Sequence, residues 1–151
     1  MDKEIEKLEK KLRKYARLER IFQKNDIILA KDPFVKHMVK DIVGDLPITF
    51  TSEEEKATKI VLPWTTDDEN NTFLHTVFNK KKIVEDKKLV KLFLPLTDKE
   101  TVILAKKHNL KFEPMTKDTS VEKITDAMKK SFPDIPQTLR KSIEKIKKLA
   151  K

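Results

Sequence analysis

The run Asp67-Asp68-Glu69 is the densest group of side chains in this sequence that could carry chemistry. It follows Trp64, the only tryptophan, and Thr65 at the end of an apolar segment that is typical of a buried strand. Open parallel sheets bind ligands at the carboxyl ends of their strands. Carboxylate oxygens suit Mg²⁺, and a tryptophan ring can stack on a base. We therefore take Trp64, Thr65, Asp67 and Asp68 as candidate nucleotide-binding residues, and Asp67 and Asp68 as candidate Mg²⁺ ligands.

A structural interpretation of the same residues is open beside the chemical one. Either Asp67 or Asp68 would cap the N-terminus of the following helix, and the neighbouring carboxylates would favour the helix dipole. Trp64 would then cover the core at the top of the sheet. The capping interpretation needs no ligand.

Two scarcities exclude whole classes of site. Gly44 is the only glycine and there is no cysteine, so the sequence contains neither a glycine-rich phosphate loop nor a thiolate site. Gly44 falls where a helix would end before Pro47. The three histidines, His37, His75 and His108, lie far apart without metal-ligand spacing. None has a nucleophile partner visible in the sequence, so we expect no catalytic triad.

The net charge of +9, from 34 basic and 25 acidic residues, favours polyanionic partners. The densest basic group surrounds a polar loop, and we take it as a candidate RNA-binding site: Lys80, Lys81, Lys82, Lys87 and Lys88. A solvated surface of the kind found in thermophile proteins would explain the same lysines. Arginine, which phosphate readers usually favour, is scarce.

Apolar periodicity predicts one α/β domain over residues 1–151, with an N-terminal helix at 1–24 and an α/β core at 26–151. The helix carries an apolar stripe at alternating spacings of three and four, formed by Ile5, Leu8, Leu12, Tyr15 and Phe22. Short apolar runs then alternate with helices, which indicates a small parallel sheet of four or five strands flanked by helices. No segment has the length of a membrane span or the pattern of a signal peptide, so we expect a cytoplasmic protein.

Three segments in order resemble the C-terminal half of the PP-loop ATPases, the adenine nucleotide alpha-hydrolase-like family that includes tRNA-thiolating enzymes. Residues 58–69 (TKIVLPWTTDDE) resemble that family's strand and acidic helix start. Residues 92–100 (LFLPLTDKE) resemble its "R-P-L…E" segment, and residues 131–146 (SFPDIPQTLRKSIEKI) its closing helix. The resemblance implies ATP or Mg²⁺ as possible cofactors and tRNA as a possible partner.

The sequence departs from the family's pattern where its ATP chemistry lies. The S-G-G-x-D-S loop is missing after the first strand, where Ala30-Lys31-Asp32-Pro33 stands instead. Leu94 replaces the arginine before Pro95, and Glu113 replaces a cysteine before Pro114. We therefore predict a non-catalytic relative that binds RNA, chiefly tRNA, or weakly binds nucleotide.

Two alternatives remain open. The N-terminal helix could serve protein interaction or self-association, or the chain could be an ATP-dependent tRNA-modifying enzyme with a divergent phosphate loop.

Overall fold

The computed structural model describes residues 2–79, 88–115, 117 and 119–149. The strands are β1 (Ile27–Leu29), β2 (Thr49–Phe50), β3 (Lys59–Thr65) and β4 (Leu89–Phe93). The helices are α1 (Asp2–Leu18), α2 (Pro33–Val43), α3 (Thr66–Phe78), α4 (Asp98–Lys107), α5 (Thr119–Ser131) and α6 (Ile135–Leu149), with a short 3₁₀ turn at Glu54–Lys56. The strands pair in parallel in the order β2-β1-β3-β4. The small parallel sheet flanked by helices is therefore confirmed.

One hydrophobic core joins the sheet to α1, α2 and α4. The apolar stripe of α1 contributes Leu8 and Leu12, and Leu12 is fully buried. Phe34 of α2 stacks on Phe93 of β4 with ring centroids 5.1 Å apart, and Phe112 meets both rings edge-on. A second group, formed by α3, α5 and α6, packs together and against β3. None of the helices described is both long and apolar enough to cross a membrane.

The N-terminal helix ends at Leu18, earlier than the sequence pattern suggests. Arg20 takes a left-handed conformation with φ 47°, its N–H bonds to the Arg17 carbonyl, and the Ile21 N–H bonds to the Ala16 carbonyl. This pair of bonds is a Schellman motif, which ordinarily uses glycine at the left-handed position. Phe22 therefore continues the apolar stripe in the sequence but lies beyond the helix.

The other helix ends follow the sequence more closely. Asp32 caps α2, accepting hydrogen bonds from the backbone N–H groups of Phe34 and Val35, and Pro33 takes the first helical position. Gly44, with φ 53°, ends the same helix as predicted. Asn109 takes the left-handed position after α4, with φ 56°.

A polar contact joins the three helices of the main core. Nε2 of His37, on α2, lies 3.1 Å from Nδ1 of His108 at the end of α4. Nε2 of His108 lies 3.3 Å from Oε1 of Glu9 on α1, and Lys107 donates to the same oxygen at 2.7 Å. The two histidines, distant in sequence, thus meet in the fold.

Candidate functional site

Thr65, the last residue of β3, caps α3, so the prediction that Asp67 or Asp68 fills the capping position is wrong. The Thr65 hydroxyl accepts a hydrogen bond from the Asp68 N–H at 3.2 Å, and Asp68 Oδ2 accepts one from the Thr65 N–H at 3.0 Å. Thr65 has the extended backbone that an N-cap requires, with φ −102° and ψ 173°. Asp68 lies three residues on and completes a capping box.

The N-terminus of α4, after β4, is built in the same way and lies beside the first. Thr97 and Glu100 form the predicted capping box. Asp67 Oδ2 accepts from the backbone N–H of Asp98 at 2.8 Å, and the Thr65 hydroxyl donates to Asp98 Oδ1 at 2.7 Å. The carboxyl ends of β3 and β4 are therefore joined by side chains that the sequence places about thirty residues apart.

Lys117 lies between the carboxylates of Asp68 and Asp98, where a cation would be expected. Its Nζ is 3.0 Å from Asp68 Oδ1 and 2.6 Å from Asp98 Oδ2, and the Lys117 side chain is only 9% exposed. Burial raises the pKa of Asp68 although Thr65 and Lys117 oppose the shift. Burial alone would lower the pKa of Lys117, but its hydrogen bonds to Asp98 and Asp68 raise it overall. The ammonium group thus contacts both carboxylates and offsets one of their two negative charges.

A cleft of about 340 Å³ opens beside these strand ends, between α3, α4, α5 and α6. Four carboxylates line it, with three lysines among them: Asp67, Asp98, Glu122, Asp126, Lys99, Lys117 and Lys129. Lys129 lies 3.5 Å from Asp67. The described residues include no group of three or more His, Asp or Glu side chains placed to hold a metal ion. A nucleotide phosphate would meet carboxylates and the lysines among them here rather than a nest of backbone N–H groups.

Trp64 lies half-buried on β3, apart from the residues that line this cleft. The ammonium of Lys91 lies 5.3 Å from the centre of its ring and also pairs with Glu69 at 2.9 Å. One face of the indole is thus already in a cation–π contact. Of the four candidate nucleotide-binding residues, the structure brings Thr65, Asp67 and Asp68 together and engages each of them within the protein.

The candidate RNA-binding lysines fall mostly outside the described residues. Lys80, Lys81, Lys82 and Lys87 lie in the segment 80–87, which the structure does not describe. Lys88 is described, and its Nζ donates to the Glu54 carbonyl at 3.2 Å.

A larger open groove of about 610 Å³ lies between α1, α2 and the segments that follow them. Its rim is basic and its floor is apolar: the rim is formed by Lys10, Arg13, Lys14 and Arg17, and the floor by Ala16, Phe22, Ile42, Val43 and Leu46. Arg13 is paired with Asp41 at 2.8 Å, and burial opposes but does not overcome the rise in its pKa that the Asp41 hydrogen bond causes. All four rim side chains are exposed.

Sequence reasoning missed this groove, although one signal was available. Three of the four arginines in the chain, Arg13, Arg17 and Arg20, fall within eight residues. Residues 10–20 contain six basic side chains and one acidic side chain, Glu19. The apolar stripe of this helix was interpreted instead, and it predicts packing against the core. The basic side chains lie on the other face of the helix.

No protein-family model matches this sequence, and neither a curated protein nor a solved structure matches it. The resemblance to PP-loop ATPases therefore depends on the three segments quoted above.

Proposed function

We propose that this protein is a non-catalytic RNA-binding protein, and that the groove between α1 and α2 is its main contact surface. The observation that carries the proposal is the basic rim of the groove, where two of the four arginines lie beside two lysines. Guanidinium groups bind phosphates through paired hydrogen bonds, and exposed ammonium groups add unpaired positive charge. The PP-loop resemblance makes tRNA the first RNA to test.

The charge available to a ligand can be counted from the contacts on the rim. Asp41 already neutralises Arg13, and the nearby helix ends add partial negative charge. The net positive charge of the rim therefore comes from Lys10, Lys14 and Arg17. Three phosphate contacts at this site would give a slope of log K against log salt of roughly −2 to −3. Contacts from the lysines of residues 80–88 would make the slope steeper.

The strand-end cleft is less suited to a nucleotide than the sequence implied. Lys117 occupies the space between Asp68 and Asp98, and the remaining carboxylates would repel a triphosphate. Weak nucleotide binding there is a secondary part of the proposal, and ATP-dependent chemistry would require a phosphate-binding loop that the quoted segments lack.

The test compares two charge reversals of equal size. Lys10→Glu, Lys14→Glu and Arg17→Glu together reverse the rim. Lys141→Glu, Lys145→Glu and Lys148→Glu together reverse three exposed lysines of α6. Binding of fluorescent unfractionated tRNA, followed by anisotropy over a salt series, should weaken at least tenfold more for the rim variant than for the α6 variant. Equal losses would show that only net charge matters and would contradict the assignment to this groove.

A further inference from the structure

Resting on this RNA-binding role, we infer that the groove takes an unpaired nucleobase on its floor, so that the ligand is RNA with exposed single-stranded nucleotides. The distinguishing feature is the combination of a basic rim with an apolar floor in one groove of about 610 Å³. That volume lies in the range of about 300–1,000 Å³ typical of small-ligand sites. A ligand that offered phosphates alone would leave the floor without a partner.

Phe22 supplies the aromatic ring of the groove floor. The chain turns out of α1 at Arg20 and Ile21 enters the core. Phe22 is half-buried: it packs against the same core and also lines the groove. Ile42 and Val43 lie on the same floor from α2. An aromatic ring beside a line of cationic groups is the arrangement that single-strand binders use, because the bases stack while the phosphates meet the charges.

The rim favours RNA over an acidic protein segment. Two of its four cationic groups are guanidinium groups, and Arg17, which Asp41 does not neutralise, can stack its plane on a base as well as bind a phosphate. A paired duplex presents its phosphates outward and keeps its base faces stacked inside, so it would contact the rim only.

The probes are three: a ten-nucleotide oligouridine, a blunt ten-base-pair RNA duplex, and a ten-residue polyglutamate peptide. The wild-type protein should bind oligouridine more tightly than the duplex and should bind the peptide more weakly than either RNA. Phe22→Leu keeps an apolar floor but removes the ring. Because stacking on one aromatic side chain is worth a factor of about 5 to 160 in affinity, this variant should lose that factor for oligouridine only.

Phe22→Tyr keeps the flat ring and should retain oligouridine binding, which guards against a loss of affinity caused by misfolding. Melting curves of both variants report whether they fold. If Phe22→Leu folds and binds oligouridine like wild type, or if the duplex binds as tightly as oligouridine, the unpaired-base inference fails while the RNA-binding role stands. If no RNA binds, or if only polyglutamate binds, the RNA-binding role itself fails.

Discussion

Replacing Lys117 by methionine removes the ammonium group between Asp68 and Asp98 while it keeps a long aliphatic side chain in the same space. The Asp68 side chain is 2% exposed and the Lys117 side chain 9% exposed, so water cannot replace the lost charge at Asp68. Removing one partner of a buried ion pair typically costs about 3–5 kcal/mol, because the other charge stays buried without compensation. We expect a free-energy loss of that size at neutral pH.

Such a loss is large for a chain of this length. Native domains are stable by only about 5–15 kcal/mol, and a loss of about 3–5 kcal/mol would lower the melting temperature by roughly 6–20 °C. Urea unfolding followed through the fluorescence of Trp64, the only tryptophan, would measure the loss. Lys99→Met is the matched control, because Lys99 lines the same cleft but is exposed. It should change the stability by less than about 0.5 kcal/mol.

A second substitution identifies the buried charge as the cause. Asp68→Asn keeps an oxygen that can accept from the Thr65 N–H, but it carries no charge. Combined with Lys117→Met it should recover most of the lost stability. Acidification should also reduce the stability loss caused by Lys117→Met. Burial raises the pKa of Asp68, so protonation of Asp68 near and below that pKa removes the buried charge and favours the folded state.

Either of two results would contradict a stabilising role for the Lys117 charge. One is a loss below about 1 kcal/mol for Lys117→Met, since a buried pair must cost more than an exposed one. The other is an unchanged loss after Asp68→Asn is added, which would mean that packing around the lysine chain, and not the charge, stabilises the strand ends.

Arg20→Gly should stabilise the protein by about 0.5–1 kcal/mol in urea unfolding, because removing left-handed strain of about 1–2 kcal/mol outweighs the entropic cost of glycine, about 0.5–1 kcal/mol; a loss of stability would contradict the Schellman assignment. Burial raises the pKa of Tyr15 above its ordinary 10.0. The neutral phenol of Tyr15 therefore contributes stability below pH 10, and this stability is lost as the pH rises above 10. Tyr15→Phe should flatten the fall in melting temperature between pH 9 and pH 11. Leu12→Lys should lower the melting temperature without changing the mass in light scattering, whereas dissociation into a folded monomer would support the interaction-helix alternative. Mg-ATP should show no saturation in calorimetry at millimolar nucleotide, and tight binding that Asp67→Ala removes would restore the enzyme alternative.

The elements of this fold could be predicted because their signals are local. Apolar runs of strand length and the start at Pro33, together with the Thr97–Glu100 box, each depend on residues close in sequence. The end of α1 was placed too late because Phe22 continues the helical spacing, although the backbone has already turned at Arg20. Periodicity reports spacing and carries no information on backbone conformation.

The site was less predictable because its contacts join distant segments. Nothing near Lys117 in the sequence indicates that its ammonium group lies between Asp68 and Asp98. The capping role of Thr65 was missed because the aspartates that follow it are also common N-cap residues. The groove required the relative placement of α1 and α2, which no local pattern encodes. The arginines of residues 13–20 can be read from the sequence, but the apolar groove floor that lies beside them can be seen only in the structure.

The contact between His37 and His108 also fixes where hydrogen atoms must lie. Glu9 accepts only, so Nε2 of a neutral His108 carries the hydrogen that faces it, and Nδ1 is then an acceptor. Nε2 of His37 must in turn donate across the 3.1 Å contact. With His108 neutral, the rings share one tautomer and form a directed chain of donors from α2 through α4 to α1. Only one of the two nitrogens that face each other can carry a hydrogen while this contact lasts, so the tautomer of either imidazole determines that of the other.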